Sequence, residues 1–388
     1  MKRINLVAMA LVAIVAVGPA TALDFGLDIT EKTSLSGAGD EVALYQKNQA
    51  IAWLSLPVGA YSSLYASALY QFTGDFELSP NASAAIVPYA FTLGRFELEG
   101  FKSLDSGSSL KWSVGRVPFQ DYSGRIVNSL LDGAKAELAL GTTLLSASAG
   151  YSGLIFKDDA SMLIDTDDDN INSDDGLVFA PKRLVLSMGA RFVELLALHD
   201  FGVDGWAQFD LDSGGSAVTH TQYLEPYIEG RVGRTLRWRF WSALELGQDP
   251  DFFYALASGA RLRMTLPETY GLRLTGALSW AGGDYDGTGA MAAFKPVTSS
   301  SLSTIGTTLF SDALSASVDA QVSPARGLAV GSNCAADFSA DGYLGFEISG
   351  RAAYRPVNDF SATFTGGAFI PSAGDLQWLL MVTAEVKL

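Results

Sequence analysis

From Tyr223 to Ser279 the chain alternates between apolar and polar positions with a period of two. Leu236, Trp238, Phe240, Ser242, Leu244 and Leu246 share one parity, and Arg237, Arg239, Trp241, Ala243 and Glu245 share the other. The segment before reads Leu224, Ile228 and Val232 against Tyr223, Glu225, Tyr227, Glu229 and Arg231. The segment after reads Leu256, Leu262 and Met264 against Ala255, Ala257, Arg261 and Arg263, and then Leu272, Leu274 and Leu278 against Arg273 and Thr275. Successive side chains of a strand point to opposite faces, so these are four strands with one greasy and one polar side. The same alternation predicts strands near 24–33, 45–56, 61–74, 86–99, 108–117, 131–140, 143–156, 182–193, 197–210, 219–232, 235–247, 253–266, 270–281, 312–323, 327–338, 342–354, 358–370 and 375–388.

The connections carry a second signal. Pro57–Ala60, Gly141–Thr142, Gly233–Arg234, Pro267–Thr269 and Pro324–Arg326 are tight, whereas 34–44, 75–85, 118–130, 157–181 and 282–311 are long. Short turns at one end and long loops at the other mark a transmembrane, antiparallel, up-and-down β-barrel. About 18 strands are expected, all in one all-β domain over residues 23–388; Ser301–Phe310 has strand character too, and its pairing would shift the count to 16. A change of parity at Gly94–Arg95 predicts a bulge. The last segment places Leu376, Trp378, Leu380, Val382, Ala384, Val386 and Leu388 on one face, like the terminal strand by which outer-membrane barrels are recognised for assembly, although that signal ordinarily ends in Phe or Trp.

Composition sharpens this picture. Hydrophobic residues are 48% of the chain and charged ones 18%, against about 25% in soluble domains. No apolar run after the first two dozen residues approaches the ~20 needed for a spanning helix. Lys2 and Arg3, the apolar stretch to Val17 and Ala20-Thr21-Ala22 have the layout of a secretory signal peptide over residues 1–22. The expected address is therefore the outer membrane of a diderm bacterium. Its partners would be the bilayer and its lipopolysaccharide-type outer leaflet, small solutes and the barrel-assembly machinery, but no nucleic acid. The net charge is −16; removing the +2 of Lys2 and Arg3 leaves −18.

Candidate chemistry is sparse. Two histidines, His199 and His220, without a nucleophile elbow, a zinc motif or a phosphate loop, argue against an enzyme and against any cofactor. Asp165, Asp167 and Asp169 are spaced like calcium ligands, but Asn170 replaces the turn glycine and Gly176 stands where the closing glutamate belongs; no metal site is expected, and the segment reads as a solvated loop. Cys334 shares the outward parity of Val330 and Ala336 and reads as a small outer-face residue.

The polar parity is richer. Arg191, Arg231, Arg237, Arg239, Arg261, Arg263 and Arg273 fall on it, with Tyr223, Tyr227, Trp206 and Trp241 and the acids Asp210, Glu225, Glu229 and Glu245. Opposite charges there can pair across strands. An arginine-lined lumen that prefers carboxylated or phosphorylated solutes is the functional alternative, with aromatic faces for sugar rings.

Residues 115–138 resemble a known family. Gly115-Arg116, Gly124-Arg125-Ile126-Val127 and Leu131-Asp132-Gly133-Ala134 are similar to the alginate-export and related carbohydrate-type porins. The match departs at Val117, where the family has Gln, and in lacking a tryptophan-bearing loop, so the substrate is not carried over. The resemblance implies an 18-stranded, largely monomeric pore whose third loop folds inward, with Asp121, Arg125 and Asp132 near the narrowest point and Arg116 at the strand end. The sequence thus predicts a porin for small hydrophilic, anionic or sugar-like solutes; the alternative is a non-conducting surface barrel acting as an adhesin or structural protein. A barrel for hydrophobic solutes would want an N-terminal plug, and the first strand begins directly after Ala22.

Overall fold

A computed structural model of the protein describes residues 23–78, 84–104, 107–162, 168, 179–195, 198–211, 218–249, 251–283, 291–298, 300–306 and 308–388. The expected leader at 1–22 and the acidic segment 165–176, apart from Asp168, lie outside them.

The strands are β1 (Asp24–Ala38), β2 (Glu41–Pro57), β3 (Ser62–Glu77), β4 (Ala84–Ser103), β5 (Ser108–Gln120), β6 (Asn128–Leu140), β7 (Thr143–Tyr151), β8 (Arg183–Phe192) and β9 (His199–Asp210). They continue as β10 (His220–Val232), β11 (Leu236–Asp249), β12 (Asp251–Leu266), β13 (Leu272–Ala281), β14 (Ala313–Ala325), β15 (Leu328–Ser339), β16 (Gly342–Val357), β17 (Phe360–Pro371) and β18 (Gln377–Lys387). Each is antiparallel to its neighbours, and β18 pairs with β1, Leu380 opposite Leu35, closing one 18-stranded sheet. Leu27 and Leu388 exchange backbone hydrogen bonds of 3.0 and 2.9 Å at the seam, so no edge is left open.

The alternation becomes the two faces of the wall. Val114, Met188, Leu224, Phe240, Leu262, Val318, Ile348, Phe364 and Val382 are exposed on the outward parity. An exposed apolar surface of this extent fits hydrocarbon rather than water. Among the described residues no helix is long and apolar enough to cross a bilayer; the strands supply that surface. Cys334 pairs with Val318 and Ile348 on this outer side, as expected.

Turn chemistry follows the backbone it must support. Gly141 closes the β6–β7 hairpin at φ +61°, a left-handed conformation that other residues adopt at a cost. The bulge predicted at Gly94–Arg95 is present: Ala66 pairs with Phe96 and Ala68 with Leu93, leaving two β4 residues opposite Ser67. The region 34–44 is a departure. It is no long loop, because β1 and β2 run on to a two-residue turn at Gly39–Asp40. Within 301–310 the only ladder contact among the described residues is the bridge Ser301–Leu309, so it adds no strand to the wall.

The described parts of the connections 152–182 and 282–312, and the shorter 121–127, turn inward. Ile126, Val127, Ile155, Met162, Phe294, Val297 and Phe310 are buried in one cluster with the wall residues Trp206, Tyr223, Tyr227, Trp241, Ala243 and Ala255. Each such apolar side chain taken out of water contributes about 1.5–3 kcal/mol. The loops also hold one another: Thr298 donates its N–H to Ile126 O at 3.1 Å and accepts that of Asn128 at 2.8 Å on Oγ1. A packed core therefore lies inside the barrel at its loop end.

Candidate functional site

The register of three hairpin-linked strands builds the site. Arg231 lies opposite Arg237, Arg237 opposite Arg263, and Arg239 opposite Arg261. Directly opposed Cβ atoms are ~5 Å apart, and like charges so placed repel. Together with Glu229 and Asp200 these five arginines line an interior cavity of about 400 Å³ at the turn end of the wall. Asp200 and Glu229 are already engaged by Arg191 Nη2, both at 2.6 Å, and Glu194 lies 3.7 Å from Arg231. Among the described residues no carboxylate forms an ion pair with Arg237, Arg239, Arg261 or Arg263, and the buried Nε of Arg263 has no acceptor. Arg273 keeps the interior parity but lies one step nearer the turn, opposite Thr265 and Gln321, outside this cavity's lining.

The loop 121–127 covers this wall. Tyr122 stacks on Tyr227 with centroids 3.7 Å apart and planes at 5°, and the Arg239 guanidinium lies 5.8 Å from the Tyr122 ring. Tyr122 Oη donates to Glu229 at 3.0 Å, while the backbone N–H groups of Tyr122 and Ser123 donate to the fully buried Glu225 at 3.2 and 3.0 Å. Burial above all, then the charge and hydrogen bond of Glu229, hold the Tyr122 phenol far above its ordinary pKa of 10.0. Arg125 donates from Nη1 to Ser300 Oγ and Ser301 O at 2.9 and 2.8 Å, with Phe310 beneath it at 5.5 Å. Burial lowers its pKa from the ordinary value, against the pull of Asp121 and with a further push from Arg239. The loop thus carries Arg125 to the arginine wall.

Wall carboxylates anchor the long loop too. Glu245 accepts from the N–H of Lys295 at 2.8 Å, and Glu347 from those of Thr304 and Ile305, both at 2.9 Å. Tyr223 packs against Phe294 and donates to Lys295 O at 2.5 Å, and Trp241 packs against Phe310.

Four expectations need correction. Asp121 does not face a solute path: its carboxylate is buried and accepts the N–H groups of Arg125, Ile126 and Val127 at 3.3, 3.0 and 2.6 Å, besides the Ser123 hydroxyl. It shapes the loop and is saturated by it. Arg116 and Asp132 are not at the constriction. They form a two-pronged pair, both bonds 2.9 Å, on the parity of the exposed Val114 and Leu140, while Val117 and Leu131 point into the interior core. Arg116 also donates to Leu93 O at 2.7 Å and Leu154 O at 3.1 Å, tying β4, β5, β6 and the next loop together from outside. Tyr223, Tyr227 and Trp241 do lie on the interior face, but loop aromatics cover them. Asp168, from the segment expected to be a solvated loop, is instead buried and accepts from Arg183 at 2.7 Å.

Alternation gave no sign of Tyr122, Glu347, Phe294 or Phe310, because their roles arise from where the loops land. A second cavity of about 360 Å³, under Pro118 and Gln120, mixes Arg95, Lys111 and Lys135 with Glu97, Glu137 and Asp204. A third, of about 470 Å³, lies between Thr304–Ile305 and the wall of β18, β1 and β2.

No family model matches the chain, and no curated relative matches it. Solved structures of Occ/Opd outer-membrane porins from Pseudomonas aeruginosa are similar in fold. OccK7 (OpdD) is 13% identical with a TM-score of 0.62, over 95% of this chain and 99% of that one. OpdL is 12% identical with a TM-score of 0.59, over 94% and 98%. OpdK with vanillate is 13% identical with a TM-score of 0.57, again over 94% and 98%. At these identities the likeness is one of fold.

Proposed function

We propose that the protein is an outer-membrane porin that lets small hydrophilic, anionic solutes diffuse through an arginine-lined lumen. The observation that carries this reading is the array Arg237, Arg239, Arg261 and Arg263, which lines one interior cavity without ion pairs among the described residues. A structural charge network would neutralise such an array; one left open attracts anions. Sugar-like solutes with a carboxyl or phosphoryl group fit the same wall, with the mixed-charge cavity under Pro118 taking their hydroxyls. A similar barrel, OpdK, is described with vanillate, a small aromatic carboxylate, which is in keeping with an anionic solute. The bilayer, its lipopolysaccharide leaflet and the assembly machinery are the partners this reading requires, and the leader at 1–22 its route of export. No bond chemistry enters. Of the alginate-export resemblance, the reading keeps the strand number and the inward third loop.

One observation favours a second reading. The interior cluster of loop and wall residues at the loop end is what a closed barrel, serving as a surface adhesin or structural protein, would have. One experiment separates the two: reversal potentials of the refolded protein in a planar bilayer under a salt gradient. Open, anion-preferring channels are expected. Stable insertion without conductance would establish the closed barrel, and open cation-preferring channels would overturn the arginine-lined path.

A further inference from the structure

Under the tip of the long loop 282–312, the interior wall carries two carboxylates without compensating charge. Asp337 on β15 and Glu347 on β16 are each 1% exposed. Asp337 pairs with Gly345 and Glu347 with Ala335, which makes the two side chains diagonal neighbours on one face, within reach of each other. Glu347 Oε2 is satisfied by the N–H groups of Thr304 and Ile305. Its Oε1 and both oxygens of Asp337 are buried and have no hydrogen-bond partner. Among the described residues no Lys, Arg or His forms an ion pair with either. Ser315 lies directly opposite Asp337 on β14, also buried.

An anionic oxygen taken from water without a donor is among the most costly groups a protein can bury, and a second one beside it adds repulsion. A cation between the two removes both penalties. We infer that Asp337 and Glu347 hold a hard divalent cation, Ca²⁺ or Mg²⁺. The donors are oxygen alone, with no thiolate or imidazole, which selects these ions over zinc or copper. No third His, Cys, Asp or Glu among the described residues converges with them, so water and the Ser315 hydroxyl complete the coordination. Mg²⁺ in particular is held by one or two carboxylates while keeping several waters.

The site has a consequence for the lumen. The carboxylate that binds the cation through one oxygen holds the loop tip through the other. The cation therefore fixes Thr304 and Ile305, which form one side of the cavity facing β18, β1 and β2. The site stands on these two carboxylates whether or not the barrel conducts.

The test is thermal unfolding of the refolded full chain, stripped with EDTA and then given millimolar CaCl₂ or MgCl₂ at matched ionic strength. Wild-type protein should melt several degrees higher with the divalent ion. In Asp337→Asn and in Glu347→Gln that rise should be lost. The EDTA-treated Asp337→Asn protein should itself melt no lower than EDTA-treated wild type, because a buried charge is gone. An unchanged melting temperature in wild type overturns the site. An undiminished rise in Asp337→Asn also overturns it, by placing the cation elsewhere, for example on the acidic segment 165–176.

Discussion

Replacing Glu225 by alanine tests whether the wall carboxylates hold the interior loops in place. Glu225 is fully buried and accepts two loop amides, from Tyr122 at 3.2 Å and Ser123 at 3.0 Å. A hydrogen bond to a charged group contributes about 1.5–3 kcal/mol net, so the two together contribute roughly 3–6 kcal/mol to docking of 121–127. Against this stands the cost of keeping a carboxylate buried, which the alanine variant no longer bears, so a net loss of about 2 kcal/mol is expected. The other tethers survive: the Tyr122–Tyr227 stack, Tyr122 to Glu229, and Arg125 to Ser300 and Ser301. The loop should therefore stay docked most of the time, with its undocked population raised roughly 30-fold, since 1.4 kcal/mol is a factor of ten. Single-channel recording reads this directly as flicker between a main level and a wider one that is rare in wild type. Glu225→Gln keeps an acceptor for one amide and should fall between the two. A Glu225→Ala barrel with normal heat-modifiable mobility and a trace identical to wild type would refute the reasoning, because the loop would then be held by the apolar cluster alone.

Removing two arginines that face each other across strands with Arg239→Ala/Arg261→Ala should lower the anion-to-cation permeability ratio at least roughly 30-fold, since together they contribute about 2 kcal/mol. Each guanidinium 8–10 Å from an ion contributes about 1 kcal/mol at an effective dielectric near 20 after salt screening; an unchanged reversal potential would count against the path. Arg116→Met strands Asp132, which is a quarter exposed, and should cost about 2 kcal/mol in urea unfolding of the refolded barrel. Ion selectivity should not move, since the pair faces outward; a shift would return it to the lumen. The Tyr122 phenol, held above its ordinary 10.0, makes loop docking sensitive to alkali. A raised native pKa stabilises the docked state fully below the ordinary value and less as pH climbs past it. Conductance should be steady to about pH 10 and change above it, and Tyr122→Phe should abolish that change.

The barrel was legible because period-two alternation and membrane burial are the same constraint seen from two sides. Strands that must show apolar side chains to lipid and polar ones to water cannot hide their parity, and β10 to β13 were readable residue by residue. The arginine array was readable for the same reason. Tight connections at 233–235 and 267–271 fix the register of the hairpins, so Arg237, Arg239, Arg261 and Arg263 had few other places to go. The turn at Gly39–Asp40 was missed because Ser34, Ser36 and Gly37 carry little hydropathy contrast, although the backbone ladder continues through them.

The site was misread where the rule of polar inside and apolar outside reverses locally. Near the loop end the interior is a packed core, so Val117, Phe119 and Leu131 point inward against Ile126 and Val127. Their neighbours Arg116 and Asp132 are thereby forced to the outer parity. An ion pair can stay there only because it is mutually neutralised and its spare N–H groups reach Leu93 O and Leu154 O. The cause of the reversal is the inward loop itself. Its docking partner, Glu225, is 103 residues from Tyr122 in sequence, a distance no periodicity spans. The same reasoning applies across the barrel, where Glu347 meets Thr304 and Ile305. A buried carboxylate on an inward position looks, in sequence, like any luminal charge. What distinguishes it is whether a loop lands on it, and that depends on the closed sheet bringing distant strands to face one another. In a barrel of this kind, then, alternation predicts which residues face inward, while only the path of the loops decides which of them meet water.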